Sequence, residues 1–329
     1  MASNVRSIAR EAGVSVATVS RVLNNVPTVA PELRERVQAV IERQSYLPNS
    51  NARSLSTSKQ GVIGVIVQDL WGAFFLEMIK GLDAAAQRHG FHILLASTQD
   101  KPYEVEHVVR KQFGKVDGFI VAMPATPPKL LLSVSQRVPT VWVNQTYSSQ
   151  PATSIVSDNY GAACAMTEHL LAQGRSKIAF IAGPEENYEA RERKRGFLDT
   201  MARAGHSPAA IFEGDFFEEC GFALAQRIAQ DIEHIDAVFA ANDNMALGCL
   251  LGLSNQGIRV PEQVIIGGFD DMRVARFVQP QLTSIRVDLG RLGEQAVDLL
   301  VKKINSTEPV DNVVMPLELV VRQSTRLIK

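Results

Sequence analysis

From Gly61 onward the chain alternates short Val/Ile-rich runs with longer amphipathic stretches, and that alternation leaves few folds open. Val62-Ile63-Gly64-Val65-Ile66-Val67 is followed by helical spacing from Phe75 to His89, then by Gly90 and His92-Ile93-Leu94-Leu95. Phe119-Ile120-Val121-Ala122 and Thr140-Val141-Trp142-Val143 continue the series. Runs that are apolar at every position need cover on both sides, so they predict parallel strands layered between helices. A second series opens with Ile178-Ala179-Phe180-Ile181 and helical spacing from Arg191 to Ala204, followed by Gly205 and Ile211-Phe212. It closes with Ala237-Val238-Phe239-Ala240 and Val264-Ile265-Ile266-Gly267. Ile66 and Gly90 correspond in role to Ile181 and Gly205, each at an offset of 115 positions. An α/β body of two similar lobes is expected.

Ligands of such open sheets sit beyond the carboxyl ends of the strands, and two facing lobes would share one cleft. The residues just past the strands are Asp69, Phe74, Asn144, Arg193, Phe216, Asn242 and Asp270. Carboxylates, amides and a guanidinium bond vicinal hydroxyls, and aromatic faces cover the C–H surface of a ring, so the set suits a sugar. The bland alternative for any single member is a loop cap or a surface charge.

The first 60 residues are of a different kind. Val5 to Ala12 has helical spacing and stops at Gly13, suited to a left-handed cap. Ser15 can N-cap a second helix, Val16 to Leu23, with Asn24 and Asn25 at its end. Helix, Gly-centred turn and helix within about 20 residues is the spacing that sets a recognition helix in a DNA major groove. Ile8, Ala9, Val19, Val22 and Leu23 can pack together, as can Leu33, Val37, Val40 and Ile41 on a third helix. An ordinary helical core leaves unexplained why Val16, Ala17, Thr18, Ser20 and Arg21 face outward, small or polar, with Arg21 able to donate two bonds to a guanine. Charge agrees: residues 1–60 carry a net +4 and the remainder −5. A basic head on a mildly acidic body implies an anionic partner for the head alone.

Val14-Ser15-Val16-Ala17-Thr18-Val19-Ser20-Arg21-Val22-Leu23-Asn24, Tyr46-Leu47-Pro48-Asn49 and Ala52-Arg53-Ser54-Leu55 resemble the lactose/galactose repressor (LacI/GalR) family of bacterial transcription regulators. Ile178 to Pro184, Ala240 to Gly248 and Gly268-Phe269-Asp270-Asp271 resemble the family's later signatures in the same order, so the likeness spans nearly the whole chain. It implies an N-terminal helix-turn-helix head (1–48), a hinge (49–60) and a two-lobed body of the periplasmic-binding-protein type with parallel sheets (61–329). The chain would cross between lobes near Asp158, Asp288 and Met315-Pro316, giving one lobe 61–158 and 288–315 and the other 159–287 and 316–329. DNA contacts are expected from Val5, Ser15, Val16, Ala17, Thr18, Ser20, Arg21, Asn24, Tyr46, Asn49, Arg53 and Leu55. The resemblance implies that the hinge turns helical on operator DNA and that Leu55 wedges into a base step. It also implies that Arg193, Phe216, Asn242 and Asp270 line an effector site, and that a homodimer reads a near-palindromic operator.

Three positions depart from the family pattern. Ala30 stands at the N-cap of the third helix, where Ser or Thr is usual, so Pro31 must open that helix without a side-chain cap. Val16 and Ala17, at the specificity-setting positions, can meet a thymine methyl but cannot donate to a base.

Other function classes find little support. No nucleophile elbow, phosphate loop or dinucleotide fingerprint is present, so neither an enzyme nor a cofactor is expected. The six histidines and Cys164, Cys220 and Cys249 have no metal or disulfide spacing. Ser56-x-x-Lys59 matches an acyl-transfer pattern without its companion motifs. Asp69 facing Asp270 is the one arrangement that would suit sugar processing. No run approaches the ~20 apolar residues of a membrane span, and Met-Ala-Ser-Asn-Val-Arg precedes no apolar segment. The expected site of action is the cytoplasm, which disfavours a transport role for the sugar-binding-protein-like body. The effector is expected to be a neutral or weakly acidic sugar acting as inducer. Phe216 also suits a purine, and purine-responsive members of the family bind DNA more tightly with effector. No Leu heptads close the chain at Arg326-Leu327-Ile328-Lys329, so a coiled-coil tetramer is not expected.

Overall fold

The computed structural model describes residues 4–23, 26–46, 60–68, 70, 73–99, 101–122, 129–145, 153–306 and 310–326. The chain divides into two compact units, residues 1–60 and 61–329.

In the first unit α1 (Val5–Ala12), α2 (Val16–Leu23) and α3 (Pro31–Arg43) bury one apolar cluster of Ile8, Ala9, Ala12, Val19, Val22, Val37 and Val40. Each helix end has a local cause. Asn4 caps α1, accepting from the Ser7 N–H, while Ser7 Oγ accepts in return from the Asn4 N–H. Gly13 ends α1 at φ 64° and returns its N–H to the last turn. Ser15 Oγ accepts from the Thr18 N–H at 3.0 Å, starting α2. Ala30 precedes α3 with no side-chain cap, and Pro31 fills the first helical position, where its missing N–H costs nothing.

The second unit holds two six-stranded sheets. The first has the order β11-β5-β4-β3-β1-β2, from β1 (Val62–Val67), β2 (His92–Ser97), β3 (Gly118–Ala122), β4 (Thr140–Val143), β5 (Thr153–Ser157) and β11 (Val313–Met315). The second has the order β12-β10-β9-β8-β6-β7, from β6 (Ile178–Ile181), β7 (Ala210–Phe212), β8 (Ala237–Ala240), β9 (Ile265–Asp270), β10 (Thr283–Arg286) and β12 (Glu318–Val320). The sheets are parallel, as expected, with one antiparallel pairing, β10 with β12. β12 follows β11 after two residues, but it lies in the other sheet, where it runs antiparallel to β10 at the edge.

Alternate residues of β1 enter different cores: Ile63, Val65 and Val67 face one, and Ile66 joins Phe119, Val121, Leu131 and Trp142 on the other. This two-sided burial is why the strand is apolar throughout. In the second sheet, Phe180 stacks on Phe197 at 4.8 Å and meets Phe239 edge-on at 5.2 Å. The covering helices include α4 (Ala73–Arg88), α5 (Pro102–Gln112), α6 (Lys129–Ser135) and α11 (Leu289–Asn305) beside the first sheet. Beside the second are α7 (Asn159–Ala172), α8 (Tyr188–Arg203), α9 (Glu218–Gln230) and α10 (Asp243–Asn255). Helices α9 and α10 pack very closely: a Cβ on Gly221 would lie 2.0 Å from the Met245 carbonyl oxygen and one on Gly248 2.0 Å from that of Glu218. Glycine is what allows this approach. The chain passes from one sheet to the other after Ser157, between Arg286 and Leu289, and between Met315 and Glu318.

Two helices start earlier than spacing alone predicts. α4 begins at Ala73, and α8 begins at Tyr188 because Asn187 accepts from the Ala190 N–H at 3.0 Å. The second shift adds a residue to the site.

Candidate functional site

Four of the predicted ligand residues come from the carboxyl ends of the second sheet. Arg193 lies on α8 after β6, Phe216 follows β7, Asn242 caps α10 after β8, and Asp270 ends β9. Arg193 is the hub. Its side chain is 3% exposed, with Nε donating to Asn159 Oδ1 at 2.8 Å and Nη1 to the Ala241 carbonyl at 2.6 Å. Nη1 also lies 3.4 Å from Asp270 Oδ1, and Nη2 lies 3.8 Å from Glu189 Oε1. The flat guanidinium rests on Phe269, 3.8 Å from the ring centre, with the Phe216 ring 6.0 Å away.

Phe216 is held from three sides. A Cβ on Gly183 would lie 2.3 Å from Phe216 Cζ, so only a glycine leaves room for the tip of that ring. The Phe216 carbonyl accepts from Asn242 Nδ2 at 2.9 Å and from Asn244 Nδ2 at 3.3 Å. Its φ of 73° is a left-handed conformation costly for an aromatic residue. Asp270 and Asp271 also have positive φ, 109° and 51°. Consecutive outliers at a strand end mark a place where surrounding structure overrides backbone preference. Asp271, which is buried, anchors that bend: it pairs with Arg286 Nε at 2.8 Å, with Arg276 Nη2 at 3.3 Å and with Arg322.

Asn144 joins the cluster from the first sheet, held at φ 53° with Oδ1 accepting from the Ser157 N–H at 3.0 Å. Its Nδ2 donates to Glu189 Oε1 at 2.8 Å, which links the two sheets' ends. Glu189 and Asn159 were not among the sequence candidates. The signal for Glu189 was Asn187 as an N-cap, which puts residues 189 and 193 one turn apart on the same face of α8. Asp69 lies outside the described residues, and Phe74 is placed only as a backbone position on α4.

The electrostatics are those of buried acids sharing one base. Burial raises the Asp270 carboxyl to about 7, against the opposing pull of Arg193. Burial also raises the Glu189 carboxyl. Behind them Asp243, buried and accepting from Ser284 Oγ at 2.6 Å and the Met272 N–H at 2.7 Å, is raised well above the ordinary carboxylate range by burial.

In the head, Val16, Ala17, Ser20 and Arg21 are exposed along α2, and Thr18 lies beside Ser15 with their hydroxyls 2.9 Å apart. Val5 and Tyr46 are half-buried against the head's own core. Asn24, Asn49, Arg53 and Leu55 lie outside the described residues.

Known proteins share both units. A profile of bacterial regulatory proteins of the lacI family matches residues 4–49, and one of periplasmic binding protein-like domains matches 167–325. Catabolite control protein A of Priestia megaterium is 32% identical over 98% of this chain and 99% of its own length. The HTH-type transcriptional repressor PurR of Haemophilus influenzae (strain PittEE) is 32% identical over 99% of each chain. Among solved structures, the lac repressor dimer bound to operator and the anti-inducer ONPF superposes with a TM-score of 0.89 at 27% identity, covering 99% of both chains. The transcriptional regulator CelR–cellobiose complex gives 0.75 at 29% identity, covering 98% of this chain and all of that one. Head, body and full-length relatives agree: this chain belongs to the lacI family of bacterial transcription regulators.

Proposed function

We propose that the protein is an operator-binding repressor, active as a homodimer in the cytoplasm, whose DNA affinity is released by a small carbohydrate bound around Arg193. The Arg193 cluster carries this reading. A buried guanidinium, two carboxylates, the Asn144 and Asn242 amides and the Phe216 ring converge at strand ends from both sheets, the combination that orients a polyhydroxylated ring. Because Asn144 belongs to the first sheet's end and Glu189 to the second's, a ligand there touches both lobes and biases their closure. A coupling in the usual range of about 1–3 kcal/mol shifts operator affinity about 5–150-fold.

α2, with Arg21 exposed, would read base edges, and the hinge would place Leu55 at the dyad. The dimer face would be the apolar set left outside the second sheet: Phe222 on α9, Leu251 on α10 (58% exposed), and Val274 and Phe277 (74% exposed) beyond β9. Binding rather than turnover is the role of the site.

A purine corepressor is the second reading, favoured by the PurR relatives and by the flat face of Phe216. A thermal-shift screen of sugars, sugar derivatives and purines separates the two. Ligand at 100 times its Kd adds about 2.7 kcal/mol of stability. A sugar that stabilises the protein and releases operator DNA supports the proposal. A purine that stabilises it and tightens DNA binding replaces it.

A further inference from the structure

We propose that Glu189 makes this site selective for a ligand bearing a protonated amine among its hydrogen-bond donors, an amino sugar in the simplest case, and turns away anionic sugars. The proposal rests on the reading of the Arg193 cluster as the effector site. Arg193 would ordinarily suggest an anion, but much of its guanidinium is occupied: Nε donates to Asn159, Nη1 to the Ala241 carbonyl, its face rests on Phe269, and Nη2 points toward the Glu189 carboxylate at 3.8 Å. Its charge is shared by two acids, Asp270 at 3.4 Å and Glu189 at 3.8 Å. The three arginines next door are not available either, since all three converge on Asp271. Formally, one cation faces two carboxylates, with Asp243 adding a third acid near Asp270.

The unmet hydrogen-bonding capacity has the same sign. Asn244 Oδ1 is a buried acceptor that receives no hydrogen bond among the described residues, and Asp270 Oδ1, on a side chain only 9% exposed, has no donor nearer than Arg193 Nη1 at 3.4 Å. Buried acceptors without donors are rare in native proteins. What fits them is a group rich in N–H donors, and an ammonium brings three together with a positive charge that favours the ionised form of these acids. The Asn144 amide, donating to Glu189 at 2.8 Å, shows the kind of group that carboxylate already accepts. A phosphate or carboxylate would instead bring a further negative charge to acids that burial already disfavours in charged form.

Titration calorimetry on the full-length protein tests this with glucose, galactose and mannose, their 2-amino-2-deoxy counterparts and their 6-phosphates. At least one amino sugar is expected to bind about tenfold or more tightly than its neutral parent. In Glu189→Gln that advantage should vanish. The order of affinities in the unmodified protein is informative even if the variant folds poorly. Tightest binding by a neutral or phosphorylated sugar overturns the proposal, as does an amine preference that survives in Glu189→Gln or no binding by any amino sugar. A Phe216→Ala variant separates the two levels. If it leaves every affinity unchanged, the site itself is misplaced. If it abolishes binding while no amine preference exists, the site stands and the role of Glu189 falls.

Discussion

Replacing Arg193 with Met keeps the apolar stem and removes the charge, and the structure sets both the size and the pH dependence of the loss. Two acceptors, Asn159 Oδ1 and the Ala241 carbonyl, lose their donor, and Glu189 and Asp270 lose their counter-charge. Orphaned buried acceptors cost about 1–3 kcal/mol, and stripping one partner from a buried ion pair costs about 3–5 kcal/mol. The charge component depends on Asp270 being ionised. Its folded carboxyl titrates at about 7, above the ordinary value, so the native state binds more protons than the unfolded chain and stability falls as pH rises toward 7. Without Arg193 to oppose burial, the carboxyl rises further. Variant and parent then hold Asp270 alike at pH 6 but differ at pH 9. Urea unfolding of the body, followed by circular dichroism, should give a deficit of about 1–3 kcal/mol at pH 6 that grows to about 3–5 kcal/mol at pH 9. A deficit independent of pH, or one below about 1 kcal/mol at pH 9, would refute the charge-sharing argument. An Arg193→Met, Asp270→Asn double variant should cost less than the sum of its singles.

Three further outcomes are expected. Leu251→Glu should convert a dimer into monomers in light scattering and weaken operator binding. Body stability should stay within about 0.5 kcal/mol, since the side chain is exposed. Arg21→Ala should cost about 1–3 kcal/mol of operator affinity and relax selectivity at a single base pair in a binding-site selection, with the head's melting unchanged. Gly248→Val should push α9 from α10, because even a Cβ would sit 2.0 Å from the Glu218 oxygen. Overpacking of that kind costs about 3 kcal/mol or more, a drop of roughly 10 °C in a thermal melt.

The two-lobed body and the helical head were legible because their signals are local. β1 is apolar at every position, since both its faces are covered, and Gly13 and Ser15 write the turn between α1 and α2 directly into the sequence. Arg193, Phe216, Asn242 and Asp270 could be nominated because strand ends and family signatures fall beside them. What could not be read was how they are wired. Glu189 meets Asn144 across 45 positions of sequence, and Arg193 meets Asn159 across 34, both through tertiary folding. The wiring of Arg193 to Asn159, Ala241 and two acids is a property of geometry rather than of composition. The antiparallel β12 escaped for a related reason, being a three-residue edge strand placed by the chain's passage between sheets.

The most direct test is a titration of operator DNA, selected from random sequence by the protein, followed by fluorescence anisotropy with and without the stabilising ligand. Wild-type protein should release the operator with an affinity change of about 5–150-fold. Arg193→Ala should bind the same operator with no response to ligand. If that variant responds as the wild type does, or if bound ligand leaves wild-type operator affinity unchanged, the Arg193 cluster is not the site that controls DNA binding.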